Sequence, residues 1–314
     1  MQSSFALIVA AILVLASVGH AAEEAAPTPA PKPEFAIPAD VELTKDIAYS
    51  LDGHEKHKLD ILRLKNLPKE PMPVIVWIHG GGFRGGSKTS GYSRLMRFVQ
   101  RGYLGATIDY RFSSEIKFPA QLQDCKCAIR FLRAKAKEYN LDPDHIGVWG
   151  GSAGGNLVAM LGTTGGVKEF EGKGGWEDQS SRVQAVCDYF GMTDFMAIYE
   201  LVKQGKATER FMLMDGKDSA SGLLGGKFWE NPELARKASP TTYASKDDPP
   251  FYIFHGDQDP LTNYSQGELL NQKLREAGAE SDFYLIKGGK HGWPPRADVD
   301  DKVDAFFDKH LKRR

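Results

Sequence analysis

Ile146-Gly147-Val148-Trp149-Gly150-Gly151-Ser152-Ala153-Gly154-Gly155-Asn156 is the stretch on which the reading of the fold turns. An apolar run enters a Gly-x-Ser-x-Gly core, and a helix-forming run, Leu157-Val158-Ala159-Met160-Leu161, leaves it. Strand, tight turn, then helix is the local order of a nucleophile elbow, which lifts a serine hydroxyl above the C-terminal edge of a sheet. The residues flanking Ser152 must be small, and Gly150 and Gly154 let strand and helix approach where a Cβ would clash. Alone the pattern is weak, because Gly and Ser also cluster in ordinary turns. Ser152 therefore needs a base, an acid and an oxyanion site from elsewhere in the chain.

A serine hydroxyl becomes a nucleophile only when a base takes its proton, and the base needs an orienting carboxylate. In an α/β sheet these groups follow later strands in the order Ser, acid, His. The run Phe251-Tyr252-Ile253-Phe254 leads into His255-Gly256-Asp257-Gln258-Asp259-Pro260, and Phe283-Tyr284-Leu285-Ile286 leads into Lys287-Gly288-Gly289-Lys290-His291-Gly292. His291 is the candidate base. In isolation it would be a surface-loop histidine; its place after Ser152 and the acids singles it out. Asp257 and Asp259 could each orient it. Asp259 is favoured because it lies further along the loop, which leaves Asp257 to hold the turn.

Upstream, the apolar run Val74-Ile75-Val76-Trp77-Ile78 ends in His79-Gly80-Gly81-Gly82-Phe83. Three glycines after a buried strand can turn their amides inward with no side chain in the way. The N–H groups of Gly81 and Gly82, with that of Ala153 after the nucleophile, are the candidate oxyanion donors, each worth ~3–4 kcal/mol in such a role. His79 is expected to brace this loop. No Gly-Lys-Ser/Thr follows, so a phosphate cradle is disfavoured.

Composition is that of a globular enzyme, with 41% hydrophobic and 26% charged residues and a net charge of -1. That balance offers no basic face and argues against a nucleic-acid partner. The three cysteines, Cys125, Cys127 and Cys187, suggest no disulfide framework. Two residues apart on a helix, Cys125 and Cys127 point to different faces, and no His or Cys cluster makes them a zinc site. Buried free thiols are expected, and no metal or cofactor.

Strand-like segments at 41–49 and 58–63, separated by Asp52-Gly53, read as an antiparallel hairpin. The run at 74–78 reads as a strand buried on both faces. Helices are then expected over 93–101, 121–139, 265–277 and 299–311, alternating with strands near 104–109, 146–151, 183–190, 251–255 and 282–286. This predicts an α/β fold with a mostly parallel central sheet and helices on both faces. Residues 193–248 break the rhythm with short helical pieces, 195–202 and 232–237, and Gly-rich links. A segment this long between buried strands is read as a small cap insertion over the substrate site, with an ordinary helix and loops on the back face as the close alternative.

Residues 1–22 have an apolar core at 5–15 followed by small residues, which predicts a signal peptide cleaved near Ala21 or Ala22, an uncleaved anchor being the alternative. Its start carries no Lys or Arg, a departure from the usual pattern. Secretion or a periplasmic location is expected, with no stable membrane insertion once the signal is removed. Residues 23–35 are a Pro/Ala-rich linker, and 36–314 form the catalytic domain.

His79-Gly80-Gly81-Gly82-Phe83 with Gly150-Gly151-Ser152-Ala153-Gly154-Gly155-Asn156 resembles the α/β-hydrolase esterases of the hormone-sensitive-lipase type. The fuller pattern is similar to the bacterial BD-FAE group of feruloyl and acetyl-xylan esterase relatives. It comprises Asp109-Tyr110-Arg111, Phe118-Pro119-Ala120-Gln121, Asp124, Asp142-Pro143-Asp144-His145-Ile146-Gly147, Ala238-Ser239-Pro240 and His255-Gly256-Asp257-Gln258-Asp259-Pro260. The resemblance implies an α/β-hydrolase fold, Ser152 as nucleophile, Asp259 as acid, His291 as base, and Gly81, Gly82 and Ala153 as oxyanion donors. It also implies that Arg111 and Asp124 are structural, paired beneath the site; solvated surface charges are the equal alternative. Gly151 departs from it, standing where His or Asp is common.

The implied activity is a serine carboxylic ester hydrolase on short-chain acyl esters, with acetyl or feruloyl groups on plant polysaccharides as candidate substrates. Phe83, Trp149 and Trp293 are either core aromatics or platforms for a sugar. A prolyl-oligopeptidase-type peptidase is the first rival, disfavoured by the HGGG loop and the lack of a propeller-sized domain ahead of the elbow. A binding module on a retired hydrolase scaffold is the second, disfavoured by the intact Ser152, Asp259 and His291.

Overall fold

The computed structural model describes residues 35–206 and 218–313. The expected signal peptide and nearly all of the linker lie outside the described residues. Eight strands form one sheet: β1 (Val41–Ala48), β2 (Lys58–Leu64), β3 (Met72–Ile78), β4 (Leu104–Ile108), β5 (Leu141–Gly151), β6 (Ala185–Tyr189), β7 (Phe251–Gly256) and β8 (Ser281–Ile286). Their spatial order is β1-β2-β4-β3-β5-β6-β7-β8. The β1–β2 and β2–β4 pairs are antiparallel, and every other pair is parallel. This is the mostly parallel sheet of the α/β-hydrolase fold, with the expected hairpin at one edge.

Because side chains alternate across a strand, the buried strands feed two separate cores. Val74, Val76, Ile78, Ile146 and Val148 face one way, against α2 (Ala120–Ala134), α4 (Ala153–Thr163) and α8 (Ser265–Ala277). Ile75, Trp77, Trp149 and Phe254 face the other, against α1 (Tyr92–Val99) and α9 (Ala297–Leu311). The fit of α9 depends on Gly147: a Cβ there would lie 2.7 Å from Leu311 and 2.8 Å from Phe307. Arg97 on α1 and Arg101 in the turn after it pair with Asp300, Asp304 and Asp308 on α9, which ties the two helices together.

The helix expected over 121–139 is two. Lys135 leaves the helical region at φ -99°, ψ 15°, and a short α3 (Ala136–Tyr139) ends at Asn140 in the left-handed conformation, from which β5 starts at once. Hydrophobic periodicity runs on across that break, which is why it was invisible to pattern alone. All three cysteines are free and buried, and burial pushes the thiols of Cys125 and Cys187 well up and that of Cys127 to about 11.

Arg111 and Asp124 are paired, with Arg111 Nη2 2.6 Å from Asp124 Oδ1. The ring of the buried His57, from the turn before β2, joins them at 3.0 Å. Asp124 is 3% exposed at its side chain, so the guanidinium and imidazole compensate a carboxylate that water cannot reach.

The segment 193–248 carries α5 (Phe195–Lys203), α6 (Ser219–Leu224) and α7 (Pro232–Lys237), and residues 207–217 lie outside the described part. Phe195, Phe228 and Ala235 are buried in the core shared with α4, and Asn156 on α4 donates to the carbonyls of Met192 and Ala238. Much of this segment therefore packs into the body of the fold, and Asp218, Ser219 and Ala220 are its described residues that reach the cavity beside Ser152.

Candidate active site

β5 lies in the middle of the sheet, between β3 and β6, so its C-terminal end opens above a layer anchored on both sides. Ser152 follows at φ 59°, ψ -120°, a left-handed-side backbone that a non-glycine residue adopts only under constraint. The constraint is visible. Ser152 N–H donates to Tyr189 O at 2.9 Å, and Asn156 N–H donates to Ser152 O at 3.1 Å. A Cβ on Gly150 would sit 2.4 Å from Gly154 O, and one on Gly154 2.1 Å from Ile78 O. The two glycines are what permit strand, turn and helix to close this tightly. Gly151 is accounted for too: a Cβ there would lie 3.3 Å from the ring of Phe190, which already fills that space.

The structure brings Ser152, His291 and Asp259 together from three separate loops. His291 Nε2 is 2.8 Å from Ser152 Oγ, and His291 Nδ1 is 2.8 Å from Asp259 Oδ2. The ring of Phe190 lies 4.7 Å from that of His291, centroid to centroid. Of the two acids, Asp259 makes the imidazole contact. Asp257 accepts from Gly288 N–H at 2.7 Å and lies 3.5 Å from Lys287 Nζ, bonds that hold the β7 and β8 loops against each other.

Asp259 is fully buried at its side chain, which by itself would push its pKa up. Hydrogen bonds from His255 and His291, the nearby His291 charge and the Thr262 N–H outweigh that burial and hold the carboxyl well below the usual carboxylate range. Its Oδ1 accepts from Leu261 and Thr262 N–H at 2.8 and 2.9 Å. His255 was not given a role from sequence. Fully buried, it has Nε2 2.8 Å from Thr262 O and 3.3 Å from Asp259 Oδ2, so it fixes the acid loop from behind. Its position four residues before the acid, at the end of a strand, was the available signal.

His79 braces the glycine loop as expected, with Nδ1 2.7 Å from Gly80 O and the ring stacked 4.5 Å from Tyr110. Arg84 and Gly85 N–H both bond to Gly81 O, which closes a tight turn through Gly81 (φ 111°) and Gly82 (φ 61°). Gly81, Gly82 and Ala153 line a cavity of about 330 Å3 together with Ser152, His291, Met192 and Leu261. A second cavity, of about 670 Å3, also opens on Ser152 and is walled by Trp77, Trp149, Tyr189, Phe190 and Trp293. Ser152 thus stands between a small chamber of mixed lining, where Met192, Ala220 and Leu261 meet Arg84, Asp218 and Ser219, and a larger one rich in aromatic rings. Trp149 is 1% exposed and Phe83 3%, so both are chiefly core residues that show an edge to the site. Arg111 and Asp124 line neither chamber.

Among the described residues no group of three or more His, Cys, Asp or Glu is placed to hold a metal ion, and no helix is long and apolar enough to cross a membrane. What the arrangement offers is a hydroxyl bonded to an imidazole that is itself bonded to a carboxylate, beside an open chamber lined by Gly81, Gly82 and Ala153.

A family model described as BD-FAE matches residues 59–274. Among curated proteins, the chain is 31% identical over 265 residues to "Esterase LipQ" of Mycobacterium tuberculosis, covering 83% of this chain and 60% of that protein. The chain therefore spans only about three-fifths of that relative's length. A solved structure described as a "Truncated form of carbohydrate esterase from gut microbiota" superposes with a TM-score of 0.76 at 30% identity, over 86% of this chain and 97% of the other. A bifunctional GH43-CE protein of Bacteroides eggerthii gives a TM-score of 0.76 at 31% identity, over 86% of this chain and 35% of that one.

Proposed function

Because this chain belongs to the BD-FAE family, we propose that it is a serine carboxylic ester hydrolase that removes short acyl groups, acetyl or feruloyl, from carbohydrate-type alcohols. The observation that carries the reading is the pair of 2.8 Å contacts from His291, to Ser152 Oγ on one side and to Asp259 on the other.

In this reading Ser152 Oγ attacks the ester carbonyl carbon while its proton passes to His291 Nε2. Asp259, kept ionised, stabilises the imidazolium and holds the ring's orientation. The carbonyl oxygen gains negative charge and is met by the N–H groups of Gly81, Gly82 and Ala153. On collapse, His291 returns the proton to the leaving alcohol oxygen, and an acyl-serine remains. Water, deprotonated by His291, attacks that acyl group, and the carboxylic acid leaves as Ser152 recovers its proton.

The chambers suggest a division of the substrate. The small one brings the candidate amide donors together with Met192, Ala220 and Leu261, room for a short acyl group, and has Arg84 and Asp218 in its wall. The larger one has aromatic faces, on which a sugar ring can stack. The carbohydrate esterase among the similar structures and the export expected from residues 1–22 are in keeping with a glycan target.

The first measurement is hydrolysis of p-nitrophenyl acetate by the protein and by Ser152→Ala, followed by acetate and ferulate release from substituted xylan. Loss of activity in the variant is expected. Equal rates would remove the elbow from the chemistry, and aryl-ester activity with no release from glycans would remove the carbohydrate clause.

A further inference from the structure

Arg94 lies on α1 at the wall of the larger chamber, with an exposed side chain. Its guanidinium sits 4.9 Å from the ring centre of Trp77, 5.7 Å from Trp149 and 5.8 Å from Tyr189. Unlike its neighbours, it has no carboxylate within ion-pair distance among the described residues. Arg97 is taken up by Asp300 and Asp304, and Arg296 by Asp298. Arg97 Nη2, on the same wall, is buried with no hydrogen-bond partner.

A guanidinium whose company is aromatic rings rather than carboxylates keeps its N–H donors available and is well matched to a planar carboxylate, which it binds through two parallel hydrogen bonds. Trp77, Trp149 and Tyr189 all lie within 6 Å of the Arg94 guanidinium and cluster around it. Ser152 opens onto the same chamber. A charge held here meets the alcohol half of the ester, since the acyl half occupies the chamber with the amide donors.

We propose that Arg94, on its floor of Trp77, Trp149 and Tyr189, is a subsite for a carboxylate carried by the alcohol half of the substrate, as on a uronate-bearing glycan. The inference rests on the esterase reading and narrows it from neutral sugars to acidic ones. Asp300, the acid lining that wall, is committed to Arg97, so it does not compete with a substrate carboxylate for Arg94.

Two acetate esters that differ in charge on the leaving phenol test it: 4-acetoxybenzoate and methyl 4-acetoxybenzoate. The readout is the ratio of their kcat/KM values in the parent, Arg94→Gln and Arg94→Lys. The ratio is expected to fall about five- to tenfold in Arg94→Gln, as for a partly exposed charge-assisted contact. That loss should be carried by KM and partly restored by Lys. An unchanged ratio in Arg94→Gln overturns the proposal.

A second readout is independent of turnover. 4-Hydroxybenzoate is titrated by tryptophan fluorescence into Ser152→Ala, with and without Arg94→Gln. Weaker binding with Gln supports the subsite, and equal binding refutes it. Should the parent cleave neither ester, the esterase reading fails, and the titration still decides the subsite.

Discussion

Asp188, on β6 beneath the first turn of α4, should make the protein less stable as the pH rises through weak acidity. One oxygen, Oδ1, accepts from Gly191 N–H at 3.0 Å and lies so close under the helix that a Cβ on Gly155 would be 2.3 Å away. The other, Oδ2, is buried with no hydrogen-bond partner. Burial is the largest influence and raises the carboxyl from its ordinary 3.8 to about 6, against the opposing pull of His255 and the Gly191 bond. A shift of about two units corresponds to roughly 3 kcal/mol between the two protonation states.

The sign follows from proton binding. An acid whose pKa is raised on folding holds more protons in the native state. Its contribution is therefore best below pH 3.8, falls as the pH rises to about 6, and is flat beyond. Asp188→Asn keeps the Oδ1 acceptor and removes the ionisation. Its stability advantage over the parent should grow by about 2–3 kcal/mol between pH 4 and pH 7.5. Urea unfolding followed by tryptophan fluorescence at several pH values measures this directly. A difference that stays constant with pH would mean that Asp188 ionises in the folded protein as it does in the unfolded chain, and the reasoning would be refuted.

Two further outcomes are expected. Asp259→Asn should lower kcat by about 10³–10⁴, because the imidazole loses the charge that orients it; Asp257→Asn, which loses only bonds across the β7 and β8 loops, should cost about 1 kcal/mol of stability and far less activity, and comparable losses in kcat would reverse the assignment. Gly154→Ala places a Cβ 2.1 Å from Ile78 O and should destabilise by about 1–3 kcal/mol, together with a loss of esterase rate; a fully stable, fully active variant would show that the elbow can relax.

The elements that placed Ser152 and His291 in the sequence were local ones. A buried strand, a glycine-flanked serine and a helix announce themselves within eleven residues, and the loops after β7 and β8 carry their acid and base in plain order. The order of strands in space is a different matter. That β4 lies between β2 and β3 follows from right-handed crossovers and sheet twist, which no short window of sequence records. The break at Lys135 left the apolar period undisturbed. Arg94 reads as one more surface arginine on a helix until α1 is seen to set it over rings from β3, β5 and β6. His255 falls in the same class: its donor role toward Asp259 exists only once the acid loop folds back on β7. The segment 193–248 is ambiguous in sequence for a related reason, since Phe195 and Phe228 are apolar enough to cover a site and equally suited to fill a core.

Three buried thiols and no disulfide bear on how the molecule can be made. With nothing to oxidise, the native state is indifferent to the redox poise of its surroundings and can form in a reducing or an oxidising compartment alike. The exposure to risk lies in the interval before folding, when three cysteines offer three wrong pairings. Once α2 and β6 are packed, Cys125, Cys127 and Cys187 are out of reach, and their raised pKa values leave almost no thiolate to react. Fast burial is the protection that a disulfide framework would otherwise supply.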